Sequence, residues 1–129
     1  MRVWCVVSVL ACVAASALAQ EGHPMVGSWS GEWGPTPTER VPVLIVLDWK
    51  ARTLSGVINP GYPDEAPIRG VLDSSKWIVR LEAASKDERG NPVKVIVEGK
   101  LENIGSYNRT LTGTLTRGNV KGDITLTRE

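Results

Sequence analysis

From residue 26 onward, apolar and polar residues alternate in short runs, and in five of them a glycine takes an apolar position. Each copy has the frame apolar, any, Gly, any, apolar: Leu54 to Ile58, Ile68 to Leu72, Val97 to Leu101, Leu111 to Leu115 and Val120 to Ile124. Residues i, i+2 and i+4 of a strand share one face, so each glycine points the same way as its two apolar neighbours. Glycine weakens a strand and is kept where the sheet bends or another group comes close. Five glycine-notched strands predict a sheet that curls into a small barrel.

Eight strand-like runs are separated by turn residues, and nothing between them has helical periodicity. They cover Val26 to Gly34, Val41 to Leu47, Thr53 to Ile58, Pro67 to Leu72, Lys76 to Ala83, Val93 to Leu101, Arg109 to Thr116 and Val120 to Thr127. The expected fold is all-β: an eight-stranded antiparallel up-and-down meander barrel. A barrel of eight strands has an interior just filled by its own side chains, or holds one small ligand. Alternate connections share a rim, and the loops after the first, third and fifth runs are the long ones. That rim is the candidate mouth.

Residues 1–19 read as a signal peptide, with Arg2 ahead of the apolar Val3 to Ala15 and a small-any-small site at Ala17-Leu18-Ala19. Cleavage after Ala19 predicts a secreted or periplasmic protein. The apolar run is too short for a spanning helix. A lipoprotein anchor at Cys12 is disfavoured, because Leu10 is bulky for a lipobox and an apolar tether would follow. The layout is then a signal peptide over 1–19, a mobile leader over 20–25 and a single barrel domain over 26–129.

Removing 19 of the 129 residues leaves 110, enough for one core. Cys5 and Cys12 leave with the signal, so no disulfide is expected. Without Arg2, 14 basic residues balance 14 acidic ones. A neutral chain without a basic run has no footprint for nucleic acid.

The first run reads Val26-Gly27-Ser28-Trp29-Ser30-Gly31-Glu32-Trp33-Gly34. Its Gly-any-Trp opening resembles the first strand of lipocalin and avidin-like (calycin) barrels. The Leu-any-Gly runs, Trp77 and the closing Gly122 to Arg128 resemble small secreted bacterial barrels of that style. The resemblance implies a meander barrel with a central pocket. The sequence departs from lipocalins in its shorter length and in having no helix after the last run. Taking the Trp29 face as inward, the interior has few hydrogen-bonding side chains, which argues against a biotin-type site. The expected function is a non-catalytic binding module for a small apolar molecule, with a filled-core interaction or inhibitor-like barrel as the alternative.

Trp33 and Tyr62 are the candidate aromatic lip of that pocket, with Trp29, Trp77, Ile58 and Val43 lining it. The alternative is that inward glycines and indoles interlock in a filled core. On the outward face, Leu44, Val46, Val57, Val71, Ile78 and Ile96 form a candidate patch for a homodimer or protein partner. The leader Gln20 to Met25 is a second candidate contact, of the inhibitor-like inserting kind. His23 is the sole histidine, so no metal centre or other cofactor is expected. With no mature cysteine and no histidine in the barrel to activate a serine, no catalytic residues are assigned and an enzyme is not expected.

Overall fold

The structure, a computed structural model, describes residues 23–105 and 108–129. The predicted signal peptide, Cys12 and Gln20 to Gly22 lie outside the described residues. Eight strands follow one another: β1 (Gly27–Gly34), β2 (Val41–Lys50), β3 (Thr53–Ile58), β4 (Ala66–Asp73), β5 (Ile78–Lys86), β6 (Pro92–Glu102), β7 (Thr110–Arg117) and β8 (Val120–Arg128). Each pairs antiparallel with the next, and β8 returns to β1 to close the barrel. The expected up-and-down barrel is the observed fold.

Alternation sets the two faces. Along β5, Val79, Leu81, Ala83 and Ser85 are buried while Ile78, Arg80 and Ala84 are exposed. The inward rows meet in one core that includes Trp29, Ile45, Leu54, Leu81, Val97, Leu111 and Leu126. Trp29 is completely buried.

The glycines explain how so small a barrel closes. An added Cβ at each of the five framed glycines would run into a carbonyl oxygen of the adjacent strand. These are the carbonyls of Val46 at Gly56, Arg80 at Gly70, Thr112 at Gly99, Glu98 at Gly113 and Gly34 at Gly122. Adjacent strands therefore coil so tightly that backbone occupies the place of a side chain. The expected interlock of glycines with indole rings is corrected on this point: neighbouring backbone fills the notches.

Three consecutive carbonyls tie the chain's entry across one end of the barrel. Arg109 Nη1 donates to the Pro24 carbonyl (3.0 Å), Trp29 Nε1 to Met25 (2.9 Å) and Arg128 Nε to Val26 (2.7 Å). Met25 is completely buried. The His23 ring stacks on Trp49 with centroids 4.1 Å apart, and the Met25 amide donates to His23 Nδ1 (3.1 Å). The described part of the supposed mobile leader, His23 to Met25, is thus a plug, because burying Met25 and capping its neighbours' carbonyls outweighs the freedom of a loose end.

Two inward assignments also change. Trp77 lies in the turn before β5 at φ 56°, packs only partly against the core, and its carbonyl accepts from the Leu101 amide (2.8 Å). The β4–β5 turn needs that positive φ, so strand geometry begins one residue later at Ile78. Val120, the first residue after the β7–β8 turn, is 47% exposed because it sits beyond the last core row.

The β2–β3 hairpin turns through Ala51 and Arg52 between the paired Lys50 and Thr53. Their φ values are 51° and 64°, the left-handed pair of a type I′ turn. Each such residue costs about 1–2 kcal/mol when it carries a Cβ, and asparagine followed by glycine is the preferred pair. The double substitution Ala51→Asn, Arg52→Gly is expected to raise unfolding free energy by about 1 kcal/mol. Urea denaturation checks it, and an unchanged or lowered midpoint would contradict the strained-turn assignment.

Candidate functional site

The hollow nearest the expected pocket lies inside the mouth. Trp33, Val43 and Ile58 do meet there, joined by Val95 and Leu115, but the space they enclose is about 20 Å³. A water needs roughly 10–15 Å³, whereas sites for drug-sized ligands run to about 300–1,000 Å³. The lumen under the mouth therefore has room for about one water. Trp29 sits at the opposite, plugged end, and Trp77 is in a turn at that same end. Tyr62 is 64% exposed, whereas Trp33 is 7% exposed. The six predicted ligand residues are divided between the two ends and the outside.

The mouth loops are stapled. Asn59, at φ 51°, accepts the Leu44 amide on Oδ1 (3.1 Å) and donates from Nδ2 to Asp64 (3.0 Å). Buried Ser85 donates to the Asp64 carbonyl (2.9 Å). Asp87 accepts the amides of Arg89 and Asn91, both at 2.9 Å. The Asn91 amide leads in holding its carboxyl below the usual range, so Asp87 is a loop staple and not a proton acceptor poised near neutrality. Across the closing seam, Arg40 makes a two-pronged contact with Asp123 (2.8 and 3.0 Å) and reaches Glu32 (3.3 Å). The hydrogen bond from Arg40 leads in lowering the Asp123 pKa, while Arg40 itself is raised. A shallow hollow of about 480 Å³ beside Trp33 is bounded by these same engaged groups, Asp87 and Arg117.

A larger recess lies on the outer wall. It measures about 700 Å³ and crosses β3 to β6, between Ser55, Pro67, Arg69, Glu82, Ala84, Pro92 and Lys94. A second recess of about 270 Å³ continues it past Arg69 and Glu82 to Val71 and Arg80. In the larger recess the outward side chains are small or cyclic at Ser55, Pro67, Ala84 and Pro92 and long at its margins, Arg69, Glu82 and Lys94.

The predicted outward patch is not one surface. Val46 pairs across the sheet with Val57, and Val57 with Pro67, so these form one apolar row beside Leu44. Val71 and Ile78 lie towards the plugged end, and Ile96 stands between Glu82 and Thr116. Arg80, ion-paired to Glu82 (2.9 Å) and to Glu98, separates Val71 from Ile96. The interruption follows from sheet rows: charged residues occupy the outward positions between the aliphatic ones.

Arg69, Ala84, Pro92 and Lys94 were not singled out by the sequence pattern. The available signal was a run of small or cyclic outward residues, Ser55, Pro67, Ala84 and Pro92, on consecutive strands. Among the described residues, no three His, Cys, Asp or Glu side chains gather as a metal cage, and no helix is long and apolar enough to cross a membrane. No protein-family model, curated protein or solved structure matches the chain.

The plugged end carries a pH dependence. Burial lowers the His23 pKa, so the unfolded chain takes up a proton before the folded one does. Nδ1 must also stay unprotonated to accept the Met25 amide. The His23 contribution is present above the ordinary histidine range and is lost as pH falls from about 6.5 through the lowered value. Urea midpoints at pH 7.5 and 5.0 are expected to differ more for the wild-type chain than for His23→Gln. Equal differences would contradict the role given to His23.

Proposed function

We propose that this protein is a non-catalytic interaction barrel that works through its outer wall and keeps its lumen filled. The observation that carries the reading is the contrast in room: about 20 Å³ under the mouth against about 700 Å³ on the β3–β6 wall. A small apolar molecule inside the barrel is the weaker reading, because admitting one would require displacing core side chains packed at crystal-like density. An inhibitor-like leader is weaker too, since His23 to Met25 are engaged with the barrel. The likeness to lipocalin and avidin-like barrels then extends to architecture and not to a central pocket. The same reading has the chain exported and cleaved after Ala19, so that the wall meets partners outside the cytoplasm.

Two measurements test it together. A photocrosslinking residue replaces Ala84 on the grooved wall in one variant and Thr112 on the β7 wall in another, each expressed in the native host. Discrete protein adducts are expected from position 84 and not from position 112, on a chain whose N-terminus is Gln20. Tryptophan emission is expected to stay flat when fatty acids, retinoids and apolar dyes are titrated in. Stoichiometric quenching, or equal adducts from both positions, would overturn the proposal.

A further inference from the structure

The two outer recesses lie end to end along the strands with the Arg69 and Glu82 row as their common boundary, so a segment that spans both crosses that row. Three outward rows build this track: Ala84 opposite Lys94, Arg69 opposite Glu82, and Val71 opposite Arg80. Successive rows on one face are about 6.6–6.8 Å apart, which gives a track of about 13 Å. That is the reach of four or five residues of extended chain. A track of this shape suits a peptide lying along it better than a compact molecule.

Charge on the track is unbalanced in a specific place. Glu82 is already held by Arg80 at 2.9 Å, and Glu98 also contacts Arg80. The side chains of Arg69 and Lys94 make no hydrogen bond or ion pair among the described residues, and both are exposed. They occupy adjacent rows, so one anionic group lying between Pro67 and Ala84 faces both. Apolar surface flanks that spot, with Pro67 and Pro92 on one side and Val71, 57% exposed, on the other. Because every strand edge is paired in the closed barrel, an added segment gains no backbone ladder and is recognised through side chains alone.

Taking the outer wall as the working face, we infer that this track binds an extended acidic-apolar segment of a partner protein. One carboxylate of that segment sits between Arg69 and Lys94, and an apolar side chain four residues away, on the same face of the extended segment, packs on Val71. The probes are three labelled peptides: acetyl-Asp-Glu-Val-Ser-Val-amide, in which the aspartate and the last valine share one face, its Asn/Gln counterpart and its Lys/Lys counterpart. Binding is read by fluorescence anisotropy and by amide chemical-shift mapping on the full mature chain.

The acidic peptide is expected to bind, with shifts confined to β3 to β6, and the Asn/Gln peptide to bind at least tenfold more weakly. Arg69→Glu with Lys94→Glu is expected to abolish acidic binding and to admit the lysine peptide. Ala84→Trp, which fills the track without changing charge, is expected to block both peptides; thermal melts show that each variant remains folded. Indifference to peptide charge, shifts centred elsewhere, or saturation by dodecanoate alone at the same place would overturn the inference. No peptide binding alongside crosslinks from position 84 would overturn the acidic segment and leave the outer-wall reading standing. No peptide binding and no such crosslinks would remove both.

Discussion

Everything in this molecule depends on how closely the backbone of each strand approaches the next at its glycines. The carbonyls of Val46, Arg80, Thr112, Glu98 and Gly34 occupy the places where side chains would otherwise begin. Such approach is possible only without a Cβ, and it lets eight short strands coil into a ring of small radius. Two properties follow from the same geometry. The ring has no free edge, so strand addition by another chain is closed off. Its lumen is narrow enough for Trp29, Trp33 and the aliphatic rows to pack across it in one core.

The seam between β1 and β8 is latched at both ends. Arg40 binds Asp123 at the mouth, and Arg128 binds the Val26 carbonyl at the plugged end. At the plugged end the terminal amide of Glu129 also donates to the Ser28 carbonyl (3.0 Å), and the Ser30 hydroxyl meets the Glu129 carboxylate. Surface ion pairs alone contribute little, typically about 0–1 kcal/mol. Here the contacts at the plugged end satisfy backbone carbonyls beside a fully buried methionine, where an unpaired group would cost about 1–3 kcal/mol. Avoiding that cost holds His23 to Met25 in place.

The strands were legible because alternation and turn chemistry are local. All eight runs appear in chain order, with boundaries shifted by a few residues where the ladder continues past the apolar stretch, as in β2 to Lys50 and β5 to Lys86. The inward rows were legible for the same reason, apart from Val120 at a rim and Trp77 in a turn. What escaped was non-local. Nothing in Gln20 to Met25 announces that Trp29, Arg109 and Arg128 will each reach one of three consecutive carbonyls. The aliphatic patch looked continuous along each strand but is broken across strands, where Arg80 and Glu82 enter the row. The groove was invisible for a related reason: it depends on small residues of four strands falling side by side, which requires the register.

Charge alone is a weak source of affinity on this wall. Arg69 and Lys94 are exposed, screened by salt within about 10 Å at 0.1 M, and each pair with a carboxylate is worth about 0–1 kcal/mol. In the proposed complex the apolar margins would therefore supply most of the binding energy, at about 25 cal/mol per Å² of surface removed from water. Separating these roles has a consequence for selectivity. In the proposed complex the cations would reject a basic segment by leaving like charges face to face, and would raise the encounter rate of an acidic one. The surrounding prolines and Ala84 decide only whether a segment is slim enough to lie down. On that proposal the wall would discriminate by charge and retain by shape, and neither property requires any opening into the core.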